Sequence, residues 1–156
     1  MSEHDAGEAT PGAGRAADSA RARGMAKMDE VYGFSVDPDV IEGPYVAFTV
    51  DHLFGQVWTR PELDIRDRRL MTLGVLAALG QPQLVEIQYQ SALDRGELTE
   101  EQVRESVVHL THYIGWPLST GVNEVAEKVI ARRRKAAEPS LTDQQKIDLA
   151  EMDVPF

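Results

Sequence analysis

Apolar positions along this chain recur at helical spacing, and no stretch alternates in the way a half-buried strand does. Val46, Val50, Leu53 and Val57 are separated by four, three and four residues, which predicts an amphipathic helix over 44–59. Arg60-Pro61 ends it, because a residue before proline is pushed out of the α region. Asp64 with Asp67 resembles a capping box ahead of a run over 70–79 that is apolar on nearly every side. That helix is expected to be buried almost all round, with Gly74 and Ala77 allowing close helix approach.

Gly80 closes the run, Pro82 opens a fourth helix ending near Arg95, and Gly96 fits its C′ position. Thr99 and Gln102 form a capping box for a fifth helix through Val103, Val107, Leu110 and Ile114. Gly115-Trp116-Pro117 punctuates the chain before a sixth helix over 118–134 that carries Val122, Val125 and Val129. A short helix is expected over 19–31, with Met25 and Met28 on one side and a break at Tyr32-Gly33-Phe34. Thr142 and Gln145 suggest a small seventh in the tail. The fold expected is therefore all-α, a bundle of six to seven helices. Residues 1–22 are expected to form a flexible arm, 23–135 the helical domain and 136–156 a tail.

Composition narrows the function classes. The chain has 156 residues, enough for one hydrophobic core, and a formal net charge of −10, which argues against a phosphate-backbone partner. Its one basic run, Arg132 to Lys135, falls where cations compensate a helix C-terminus. The cysteine count of 0 removes disulfides, thiolate metal sites and thiol redox chemistry together. No stretch approaches the roughly 18 apolar residues of a membrane span, so a cytoplasmic address is expected. His109 and His112 are three apart, but no further His or Glu pattern supports a metal site.

Two stretches carry a resemblance. One is Phe54-Gly55-Gln56-Val57-Trp58-Thr59-Arg60-Pro61-Glu62-Leu63-Asp64, followed by Arg66-Asp67-Arg68-Arg69-Leu70 and the apolar run to Gly80. The other is His109-Leu110-Thr111-His112-Tyr113-Ile114-Gly115-Trp116-Pro117. Together they resemble the carboxymuconolactone decarboxylase-like family. The resemblance implies a helical protomer of the alkylhydroperoxidase D-like fold, assembled as a homotrimer or homohexamer with sites near subunit interfaces. One branch of that family reduces peroxide through a Cys-x-x-Cys pair, which Leu79 to Leu84 lacks. The decarboxylase branch implies no metal or organic cofactor. It places a His in the fourth helix ahead of an "A-L-x-x-G" ending, where this chain has Gln88 ahead of Ala92-Leu93-Asp94-Arg95-Gly96. A carboxamide donates and accepts hydrogen bonds but carries no titrating proton.

Decarboxylation without a cofactor needs an electron sink in the substrate, donors for the enolate and one proton carrier. His109 and His52 are the catalytic candidates, since imidazole titrates near neutrality. Tyr45, His52 and Gln56 flank the stripe of the second helix, and His109 and Tyr113 flank that of the fifth. Two such flanks facing one another would line a cavity. Gln88, Glu86, Trp116 and Arg68 complete the substrate-binding candidates, Arg68 through bidentate contact with a carboxylate. His112 is expected to face solvent. Arg60, Arg66 and Arg68 are expected to pair with Glu62, Asp64 or Asp67. The function expected is a cofactor-independent lyase acting on a lactone or β-keto acid. Two alternatives stay open: a repurposed isomerase, cyclase or ring-opening enzyme of a biosynthetic or aromatic-degradation pathway, and a non-catalytic ligand-binding oligomer. The partners expected are a small-molecule substrate and further copies of the chain, with neither nucleic acid nor membrane.

Overall fold

The computed structural model describes residues 11–34 and 43–137, with side chains from residue 20 onward. These residues are helical, with no strand among them, in the order α1 (Pro11–Tyr32), α2 (Pro44–Ala47), a π-helix (Phe48–Val57), α3 (Ile65–Ala78), α4 (Pro82–Asp94), α5 (Glu100–Ile114) and α6 (Trp116–Ala137). Helix α1 begins at Pro11, within the stretch expected as an arm and well ahead of the expected 19–31. It ends as expected, where Gly33 takes φ 75° and its N–H bonds to Asp29 O at 2.8 Å. The expected tail helix at Thr142 lies outside the described residues.

Two cores hold the chain. The larger joins Leu73 and Ala77 of α3, Val85, Tyr89 and Leu93 of α4, Val103 and Val107 of α5, and Val122, Ala126 and Val129 of α6. The smaller is aromatic, with Phe54 and Trp58 stacked at 5.8 Å, Tyr32 edge-on to Phe54 at 5.5 Å, and Val31 sealing it. It joins α1 and the π-helix into a hairpin that sits against the four-helix body.

Sequence periodicity misplaced the stripe of that hairpin. The buried positions are Val50, Phe54 and Trp58, while Leu53 is 40% exposed. The cause is the i→i+5 hydrogen bonding, seen in Trp58 N–H donating to Leu53 O at 2.9 Å. Widening the turn beyond 3.6 residues aligns positions four apart and rotates Leu53 out. The close approach expected at Gly74 occurs in the hairpin instead. A Cβ on Gly24 would lie 2.0 Å from Val50 O, and one on Gly55 would lie 2.8 Å from Ala20 O. At Gly74 the nearest atom would be at 3.9 Å, an ordinary contact.

Helix starts divide in the same way. Thr99 and Gln102 form both halves of their capping box, at 3.2 and 3.0 Å. Asp64 stands at the N-cap of α3 without a side-chain cap bond, and Asp67 pairs with Arg66 at 3.6 Å, so no box closes. Nor is α3 buried all round. Leu73 and Ala77 point into the core, but Met71, Val75 and Leu79 are 55%, 58% and 66% exposed.

Candidate active site

The outward face of α3 forms the floor of two adjoining hollows. One, of about 380 Å³, lies between α3 and α5 and is lined by Leu70, Met71, Leu73, Ser106, His109 and Leu110. The other, of about 320 Å³, lies between α3 and the π-helix and is lined by Leu53, Val57, Trp58, Arg68, Met71 and Val75. Met71 belongs to both, so they meet on a single apolar face.

Each hollow carries polar groups. His109 is exposed, with its ring tilted at 4.9 Å against Tyr113, which lies one turn further along α5. Ser106 Oγ donates to Val103 O at 2.7 Å, so in the 2.8 Å contact between Ser106 Oγ and the Tyr89 hydroxyl the phenol is the donor. Burial raises the Tyr89 pKa and keeps that phenol protonated. In the other hollow, Arg68 donates to Leu63 O at 3.2 Å and Arg60 O at 2.9 Å, which fixes its guanidinium through backbone rather than through the carboxylates expected for it. Arg60 and Arg66 do pair as expected, with Glu62 at 3.4 Å and Asp67 at 3.6 Å.

The remaining candidates stand elsewhere. Tyr45 is 84% exposed at the start of α2. His52 Nδ1 lies 3.2 Å from Gln56 Oε1, and both residues are exposed on the π-helix. The π-helix packs on α1, while α5 packs on α6 and α3, so α3 lies between the two flanks that were expected to face one another. Trp116 lines a third hollow together with His112. Glu86 bridges Lys128 at 2.9 Å and Arg132 at 2.8 Å, and these bonds hold its carboxyl below the usual range.

Gln88 is buried inside a polar cluster that the sequence reading missed. Arg69, 0% exposed, donates to Gln88 Oε1 at 2.8 Å, to both Glu97 oxygens at 2.6 and 2.9 Å, and to Val31 O at 2.6 Å. Gln88 Nε2 in turn donates to the Tyr32 hydroxyl at 3.0 Å. This network satisfies a buried cation and ties the hairpin to α3 and α4. A signal for it was present, since Arg69, Leu73 and Ala77 lie four apart on the stripe that enters the core. Among the described residues, no three His, Asp or Glu side chains gather in a way that could hold a metal ion.

Residues 44–128 match the Carboxymuconolactone decarboxylase family. A 4-carboxymuconolactone decarboxylase of Acinetobacter baylyi is 33% identical over 76 residues, covering 49% of this chain and 56% of that protein. The nitrosuccinic acid decarboxylase npaB of Metarhizium robertsii is 37% identical over 79 residues, covering 49% of this chain and 53% of its own length. The chain thus spans about half the length of the curated relatives it matches.

Proposed function

The chain belongs to the carboxymuconolactone decarboxylase family, and from that premise we propose that it is a cofactor-independent lyase that removes CO2 from a small lactone or β-keto acid. The observation that carries this reading is the His109–Tyr113 pair on the rim of an apolar hollow inside the matched segment. Both named relatives act on acids with an electron-withdrawing group, a lactone in one case and a nitro group in the other, that can accept the electron pair of the breaking bond.

In the reaction, the bond between the carboxylate and its carbon breaks, CO2 leaves, and the pair moves into the sink as an enolate. The apolar floor around Leu70, Met71 and Leu110 favours this step, because it desolvates the carboxylate and disperses its charge. Arg68 is assigned to the oxygen on which charge collects; pairing with the departing carboxylate would stabilise the ground state instead. Protonated His109 delivers its proton to carbon, and solvent restores it. Tyr113 orients the ring. Glu86, held by Lys128 and Arg132, and Gln88, held by Arg69 and Tyr32, line neither hollow and take no part in the proton transfer.

The exposed line of Met71, Val75 and Leu79 supports a working homo-oligomer, a trimer or hexamer. A second copy seated there would bring Tyr45, His52 and Gln56 to a neighbour's hollow, with His52 as a second proton carrier. The test is turnover in D2O on a panel containing 4-carboxymuconolactone, nitrosuccinate and simple β-keto acids. The product should carry one deuterium on the carbon that lost CO2, and a His52→Ala, His109→Ala double variant should lose at least about a hundredfold in rate. Full turnover by the double variant overturns the assignment.

Gln88 favours a second reading, a repurposed isomerase, cyclase or ring-opening enzyme that forms the same enolate without losing CO2. Deuterium exchange into a substrate that keeps its carboxylate would identify it.

A further inference from the structure

We propose that the elbow between α5 and α6 is a separate small-molecule site that takes a neutral, single-ring compound bearing a hydroxyl group. The hollow there holds about 220 Å³. That exceeds the roughly 150 Å³ that accommodates benzene in a protein interior and falls below the roughly 300 Å³ at which drug-sized sites begin. One ring with a substituent fills it.

Its walls select the ring. Val107 and Thr111 are buried and form the floor, while Val108 and the indole of Trp116 form the sides. Trp116 is 77% exposed, a large flat apolar surface available for stacking. The hydroxyls of the lining supply no donor to the hollow, and the one carboxamide there, Asn123, is exposed. Thr111 donates to Val107 O at 2.7 Å, Ser119 to Trp116 O at 3.2 Å and Thr120 to Trp116 O at 2.9 Å.

His112 selects the hydroxyl. Its Nδ1 lies 2.8 Å from Val108 O, and a carbonyl oxygen can only accept, so the Nδ1 nitrogen carries a proton. In the neutral ring that fixes the tautomer and leaves Nε2, on the far edge, as an acceptor. A ligand therefore gains a directed hydrogen bond by supplying an O–H. No Lys or Arg stands among the lining residues to pair with a carboxylate, which leaves the neutral alcohol or phenol. The site is independent of the chemistry proposed at His109, which faces the α3 side of α5.

The experiment is a 19F NMR titration of the full chain with 4-fluorophenol and with 4-fluoroanisole, in which a methyl group replaces the donated proton. Saturable binding of the phenol is expected, roughly two- to tenfold tighter than that of the ether, the worth of one hydrogen bond. His112→Phe should bring the phenol down to the ether's affinity and leave the ether unchanged. Trp116→Ala should weaken both, and His109→Ala should weaken neither. Equal affinity for the two probes, loss of binding in His109→Ala, or no saturable binding of either probe overturns the proposal. His112 and Trp116 are both exposed, so circular dichroism of each variant should match the parent.

Discussion

Arg69 bears most directly on how the hairpin is held, because a fully buried guanidinium costs several kcal/mol to desolvate unless its donors are met. Glu97, Gln88 and the Val31 carbonyl take four of the five N–H groups and engage all three nitrogens. Arg69→Met leaves the largely buried Glu97 carboxylate without its cation, and urea unfolding should report a loss of about 3–5 kcal/mol. Adding Glu97→Leu to that variant should recover most of the loss, since an apolar pair replaces an ion pair without an orphaned charge. Glu86 offers a contrasting case nearer the surface. Its pKa is lowered, first by the Lys128 hydrogen bond and then by Arg132, so its stabilisation is present above the ordinary carboxyl pKa of about 4.3 and disappears as pH falls through the lowered folded value. Glu86→Gln should cost about 1 kcal/mol at pH 7, and the two unfolding curves should converge in acid. Composition made neither arrangement visible. Within Arg66-Asp67-Arg68-Arg69 the three arginines look alike, and only the helical phase of Arg69 with Leu73 separates the buried one.

At the scale of elements, what was legible followed the α period. The Thr99–Gln102 box, the ends at Gly80, Gly96 and Gly115, and the stripes of α5 and α6 rest on local rules and appear as expected. Thr99→Ala should remove one of the two cap bonds and lower stability by about 1 kcal/mol. The π-helix obeys a different period, so the Val46-Val50-Leu53-Val57 stripe describes a helix the chain does not form. Nor does a sequence state which glycines meet another backbone. Gly24 and Gly55 do, across a crossing between segments some thirty residues apart in the chain. Gly24→Ala should destabilise the hairpin by about 3 kcal/mol, since its Cβ has only the Val50 carbonyl to displace, whereas Gly74→Ala should be neutral or mildly stabilising. Thermal unfolding followed by tryptophan emission in a Trp116→Phe background, which leaves Trp58 of the aromatic core as the reporter, separates the two outcomes.

For the whole molecule, the apolar excess of α3 was readable and its destination was not. A run with little polar face implies burial, yet a single chain covers only the Leu73 and Ala77 side. Met71, Val75 and Leu79 then face outward in a line four residues apart, beside both hollows of the candidate site. If copies of the chain meet on this line, Val75→Lys should shift sedimentation to the monomer and lower turnover with it, while leaving helix content unchanged. The family to which the chain belongs, the apolar hollows and the His109–Tyr113 rim are what support the proposed decarboxylation with protonation at carbon. CO2 release from the panel of lactone, nitro and β-keto acids, measured side by side for the parent chain and His109→Ala, tests this most directly. The account predicts release from at least one acid and a fall of about a hundredfold or more in the variant. No CO2 from any of them, or undiminished release by His109→Ala, would contradict it.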